Sequence, residues 1–111
     1  MAKIEKIEFR KGTWAGNHWT SIDVFTNLFD DYDIELFQII FDFICTHFSG
    51  NIKHNGIKNL FDVPVDRYIA DFELFGSQVC MDMDGYQFSI AFEKTEIRDI
   101  VIDALQNHIK C

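Results

Sequence analysis

Residues 68–93, YIADFELFGSQVCMDMDGYQFSIAFE, decide how the rest of the chain is read. Apolar and polar positions alternate through most of the stretch, the period of a half-buried strand. The alternation breaks at Gly76-Ser77 and at Asp84-Gly85, and each dipeptide reads as a two-residue hairpin turn. A three-stranded meander follows. Under those turns Leu74 faces Val79, Phe72 faces Met81, and Met81 in turn faces Phe88. Both turns give the same parity, so Ala70, Phe72, Leu74, Val79, Met81, Met83, Phe88, Ile90 and Phe92 make one wholly apolar face. A slip of one residue would put all of them on the wrong side.

The second face then takes Asp71, Glu73, Asp82 and Asp84, with Gln78, Cys80, Gln87, Ser89 and Glu93. No Lys or Arg occurs within the stretch. The expected register sets Asp71 directly across from Asp82, with Glu73 diagonal to it. Like charges so placed cost on the order of 0.2–1 kcal/mol per pair. Three explanations compete: a Lys or Arg from elsewhere, such as Arg67 or Lys94; a basic protein partner; or a divalent metal. Hard cations want a closed oxygen cage, which flat strands supply poorly. The basic partner is the preferred reading, and no metal or cofactor is expected.

Outward from the meander, Thr95 caps a helix running to about residue 109, with Ile97, Ile100, Val101, Ala104, Leu105 and Ile109 as its apolar stripe. Upstream, Asp30, Asp31, Tyr32 and Asp33 form an acidic turn, and Asp33 caps a Phe-rich helix over about 33–48. Its apolar positions are broad enough to predict cover on more than one side. Residues 51–67 read as a connection with a turn at Asn55-Gly56. Ile4 to Arg10 alternates as a strand, and 12–20 is a loop carrying Trp14 and Trp19 as interface anchors or as caps on the core. Over 21–29 the spacing of Val24, Phe25, Leu28 and Phe29 favours a short helix, while Ile22 and Val24 leave a strand open. The fold class is α+β: an antiparallel sheet, made of the N-terminal strand and the meander over about 67–93, packed against the helices at about 33–48 and 95–109. The 111 residues form a single domain, 1–111.

Net charge is −8, and from Gly12 to Ile52 there is no Lys or Arg. Such a surface argues against a nucleic-acid backbone as ligand. Three cysteines without CxxC spacing are no disulfide framework and point to a reducing compartment. The start of the chain has no continuous apolar core of a leader, and the most apolar run, 34–48, is too short and too charged to span a membrane. A cytoplasmic protein without membrane attachment is expected, as a monomer or weak homo-oligomer.

Other chemistry reads weakly. Asp31, Asp33 and Glu35 begin like a calcium loop, but Leu36 stands where Gly is needed. Cys45, His47 and His54 lack the second Cys-rich pair of a zinc site. Acidic neighbours disfavour a Cys80 thiolate. With no catalytic constellation, a non-enzyme is expected.

In its combination of small size, acidity, aromatic content and mixed α/β pattern, the chain resembles immunity proteins of bacterial contact-dependent growth inhibition and related polymorphic toxin systems. The resemblance spans the whole chain, is one of general character, and brings no site residues with it. It implies a cognate toxin, often a nuclease and so basic, neutralised inside the cell. The surfaces expected to meet it are Asp71, Glu73, Asp82 and Asp84, the acidic turn of Asp30, Asp31 and Asp33, and the pair Trp14 and Trp19. The alternative is a small-ligand-binding domain or small enzyme with its pocket between the sheet and the core helix.

Overall fold

The computed structural model describes residues 7–13, 19–26, 34–54, 56, 58–62, 65–83 and 87–109. The elements in chain order are β1 (Ile7–Thr13), β2 (Thr20–Thr26), α1 (Ile34–His47), β3 (Ile52–His54), β4 (Lys58–Asp62), β5 (Val65–Leu74), β6 (Ser77–Met83), β7 (Phe88–Phe92) and α2 (Thr95–His108). The fold is α+β. A seven-stranded antiparallel sheet has the order β1-β2-β7-β6-β5-β3, and β4 pairs with β5 next to β3.

All nine residues of the expected apolar face are buried. They join one core with Leu36, Phe37, Ile40, Phe41, Ile44 and Phe48 at the α1 side and Ile97, Val101, Ile102, Ala104 and Leu105 of α2. Both helices therefore lie on the same side of the sheet. Phe37 stacks on Phe88 of β7 (5.4 Å, 21°), and Phe41 meets Phe72 of β5 edge-on (6.0 Å). Burying each such ring is worth roughly 1.5–3 kcal/mol. α1 keeps one face in solvent, with Gln38, Ile39 and Asp42 exposed. On α2 the expected stripe is rotated at one position: Ile100 is 45% exposed and Ile102 takes the buried place. Lys94, not Thr95, is the N-cap residue, and its side chain makes no capping bond.

Three further expectations are corrected. Residues 20–26 form strand β2, not a helix, because Ile22 and Val24 alternate into the core while Phe25 points away. Ladders to β1 and β7 satisfy its backbone on both sides, which a helix there would forgo. The stretch 51–67 is not a plain connection, since β3 and β4 pair with 72–74 and 65–69 of β5. β3 leaves the β5 ladder at His54–Phe72 and β4 enters it at Lys58–Ile69, with Gly56 between them at φ 85°.

The third correction concerns register. The β5–β6 turn is Phe75-Gly76, with both residues at positive φ (51° and 75°), so Leu74 pairs with Ser77 and Phe72 with Val79. A two-residue turn with both central residues left-handed matches the twist of the flanking strands. The β6–β7 ladder closes at Met83–Phe88, leaving four residues outside it, where a two-residue turn was expected. Each register differs from expectation by two residues. An even shift keeps every side chain on its face, so the apolar face survives while every cross-strand partner changes.

Candidate functional site: the open face of the sheet

The side of the sheet away from α1 and α2 is covered by no described helix. Its positions fall into rows. One row crosses the sheet as Arg10, Asp23, Ser89, Asp82, Ile69 and Lys58. The next runs Gly12, Ser21, Ala91, Cys80 and Asp71, and a third runs Gln78, Glu73 and Lys53. Ser21, Ser89 and Ala91 are buried between their longer neighbours, so small side chains make the floor of this face. Asp23, Asp71, Glu73 and Asp82 stand around that floor.

Asp23 is held in place. Its Oδ1 accepts hydrogen bonds from the hydroxyls of Ser21 (3.2 Å) and Ser89 (3.0 Å). Its other oxygen leans over the β1 backbone at Gly12, where an added Cβ would lie 2.6 Å from Oδ2. Glycine at that position makes room for the carboxylate. Asp23 and Asp82 flank Ser89 from either side, two strand spacings or roughly 10 Å apart.

The remaining expected carboxylates sit differently from the reading above. Asp71 is opposite Cys80, and Asp82 is opposite Ile69, so the two acids are diagonal neighbours. Asp71 is exposed and Asp82 half-buried. Glu73 pairs with Gln78, whose Nε2 donates to Glu73 Oε1 (3.2 Å), and on its other side with Lys53. Lys53 is thus one cation next to the cluster, and Arg10, opposite Asp23 in the first row, is another. Of the two suggested for it, Lys94 sits exposed at the start of α2 and Arg67 pairs with Leu60 at the far end of β5. Trp19 is half-buried just before β2. Asp84, Asp30, Asp31, Asp33 and Trp14 lie outside the described residues.

At the β1 edge, Arg10 forms an ion pair with Glu8 (2.9 Å) and lies over the ring of Phe25, 4.5 Å from its centroid. The hydrogen bond it donates to Glu8, with the charge of that carboxylate, holds the guanidinium further above its already high range. Phe25 is 39% exposed on this face. Asp23 and Phe25 escaped sequence reasoning because residues 21–29 read as a helix; the signal that would have found them was the alternation Ser21, Ile22, Asp23, Val24.

Two shallow grooves lie at the β3–β5 edge. One, about 350 Å³, is lined by Gly50, Asn51, Ile52, Lys53, Glu73, Phe75 and Gly76. The other, about 360 Å³, is lined by Lys53, His54, Asp71, Phe72, Glu73 and Gln78. They share Lys53 and Glu73 and open on the sheet edge, away from the interface between sheet and core helix. Among the described residues no group of three or more His, Cys, Asp or Glu is gathered as a metal site. Burial and Asp42 push the Cys45 thiol above its usual range, the reverse of an activated nucleophile. No described helix is long and apolar enough to cross a membrane.

No protein-family profile matches the chain, and neither the curated proteins nor the solved structures contain a significant match to it.

Proposed function

We propose that this protein is an immunity-type inhibitor that binds a basic, nuclease-type toxin through the open face of its sheet. The observation that carries the reading is the arrangement of Asp23, Asp71, Glu73 and Asp82 around a floor of small side chains that neither described helix covers. A flat anionic surface can take the place of phosphates in a cationic cleft, and charge complementarity speeds encounter and sets specificity. Exposed Phe25 at one side and Phe75 (43% exposed) at the other supply aromatic contact area next to the charges. The protein acts in the cytoplasm, as a monomer or weak homo-oligomer until the toxin arrives, with no chemistry of its own.

The test is affinity capture from lysate of the native host at low and high salt, with the wild-type chain and the triple variant D71K/E73K/D82K. A basic partner retained by wild type, released by salt and lost by the variant supports the reading. Equal retention by both chains would sink the surface assignment.

A further inference from the structure

We infer that His47 and His108 form a two-imidazole site for a borderline divalent transition ion, the class of zinc, nickel and copper, tying the C-terminal ends of the two helices together. His47 is the last residue of α1 and His108 the last of α2, so elements distant in sequence bring these two rings to one place. Their centroids are 5.1 Å apart and their planes are inclined by 51°. Two imidazoles on one tetrahedral ion, each nitrogen about 2.0–2.1 Å from the metal, set their centroids roughly 5 Å apart. The centroid spacing is that of two imidazoles sharing one ion, and rotation about the side-chain bonds aims a nitrogen of each ring at it.

Three further features favour a cation here. Both imidazoles are exposed, so an ion with solvent ligands can enter. Phe43 packs against both rings, on His47 at 5.1 Å and 22° and on His108 at 5.8 Å, which restricts their rotamers before any metal binds. Last, two helix C-termini converge, and each carries the partial negative charge of its final carbonyls. Imidazole is the ligand this ion class prefers, whereas calcium and magnesium want oxygen. His54, the third described histidine, is separately engaged: its ring meets Phe41 edge-on and its Nδ1 accepts from the Gly56 amide. The site lies on the helix side of the sheet and is independent of the anionic-face reading.

The experiment is calorimetric titration of zinc chloride into the chelator-treated full chain, with H47Q, H108Q and H54Q alongside and far-UV circular dichroism to confirm folding. One zinc per chain is expected, with affinity falling by roughly tenfold or more in H47Q and in H108Q and unchanged in H54Q. In a parallel NMR titration, which needs no variant, the ring resonances of His47 and His108 shift together while those of His54 stay. Absence of saturable binding at millimolar zinc overturns the proposal. So does binding that is unaffected by both substitutions, or that is abolished by C45S instead.

Discussion

Ser89 on β7 donates its hydroxyl to Asp23 on β2, 3.0 Å away, and Ser21 on the same strand donates to the same carboxylate oxygen. Two buried hydroxyls thus depend on one half-buried acid. Hydrogen bonds to a charged group are worth about 1.5–3 kcal/mol, and stranding a buried hydroxyl costs about 1–3 kcal/mol. D23A is expected to lower stability by roughly 2 kcal/mol, and D23N by less, since its amide oxygen can still accept. Gly12→Ala should act on the same contact from below, because its methyl collides with Asp23 Oδ2. Urea denaturation of the three variants checks this; a D23A midpoint equal to wild type would contradict it.

Ser77 is the opposite case. It is 1% exposed, pairs with Leu74 beside the turn, and its Oγ has no hydrogen-bond partner among the described residues. A buried hydroxyl without a partner carries its desolvation penalty with no return. S77A is expected to be neutral or to stabilise by up to about 1 kcal/mol. A clear loss in thermal midpoint would mean that the hydroxyl is in fact bonded.

Phe75 holds a left-handed backbone, φ 51°, that a bulky residue adopts at a cost of roughly 1–2 kcal/mol. Two contacts oppose that strain: its amide donates to the Asn51 carbonyl (2.9 Å), and its ring meets Phe48 edge-on at 5.8 Å, worth about 0.5–1.5 kcal/mol. Phe75→Asn relieves the strain, makes an Asn-Gly turn and keeps the amide bond while losing the ring. The net change in stability is expected to stay within about 1 kcal/mol, read from equilibrium unfolding. If Phe75 is an anchor for the toxin, the same variant weakens capture without unfolding the protein.

The link between α2 and the first hairpin titrates. Arg98 donates to Asp99 (2.9 Å), Lys11 lies 3.4 Å from the same oxygen, and Arg98 also bonds the Thr20 hydroxyl. The hydrogen bond from Arg98, reinforced by Lys11, holds the Asp99 carboxyl below its ordinary range. A carboxylate depressed in the folded state contributes stability that is present above its unfolded value, near 3.8, and lost as pH falls through the lower folded value. D99N is therefore expected to be less stable than wild type at neutral pH and to lose less as pH falls below about 4, so that the two stability curves converge in acid. Parallel acid limbs for the two proteins would remove Asp99 from the account.

Much of the fold was legible because a sheet has only two faces. The first meander turn was placed one residue late and the second loop was taken as two residues too short, yet each register error was even, so Phe72, Met81 and Ile90 went to the core regardless. Partners are less forgiving: the same shift moved Asp71 from Asp82 to Cys80. Phe75-Gly76 was passed over because a phenylalanine at positive φ is rare, and only its contacts with Asn51 and Phe48 explain it. β2 was hidden by an apolar residue facing outward: Phe25 lies under Arg10, a contact between strands that local periodicity cannot report. Lys53 next to Glu73 was equally out of reach, since a three-residue strand has too few positions to show a period.

The ladder joining β2 to β7 has a consequence for synthesis. Asp23 and Ser89 are 66 residues apart in the chain, and every β2–β7 pair is comparably remote. On the ribosome the first hairpin emerges early and finds its inner neighbour only after β7 has been made and released. Until then the inner edge of β2 is an open template with Ile22 and Val24 uncovered, the sort of exposed strand that invites association with other chains. Non-local pairing of this kind also slows folding. The protein is one whose translation and folding cannot overlap at its sheet centre, so chaperone cover of the nascent first hairpin should govern its yield.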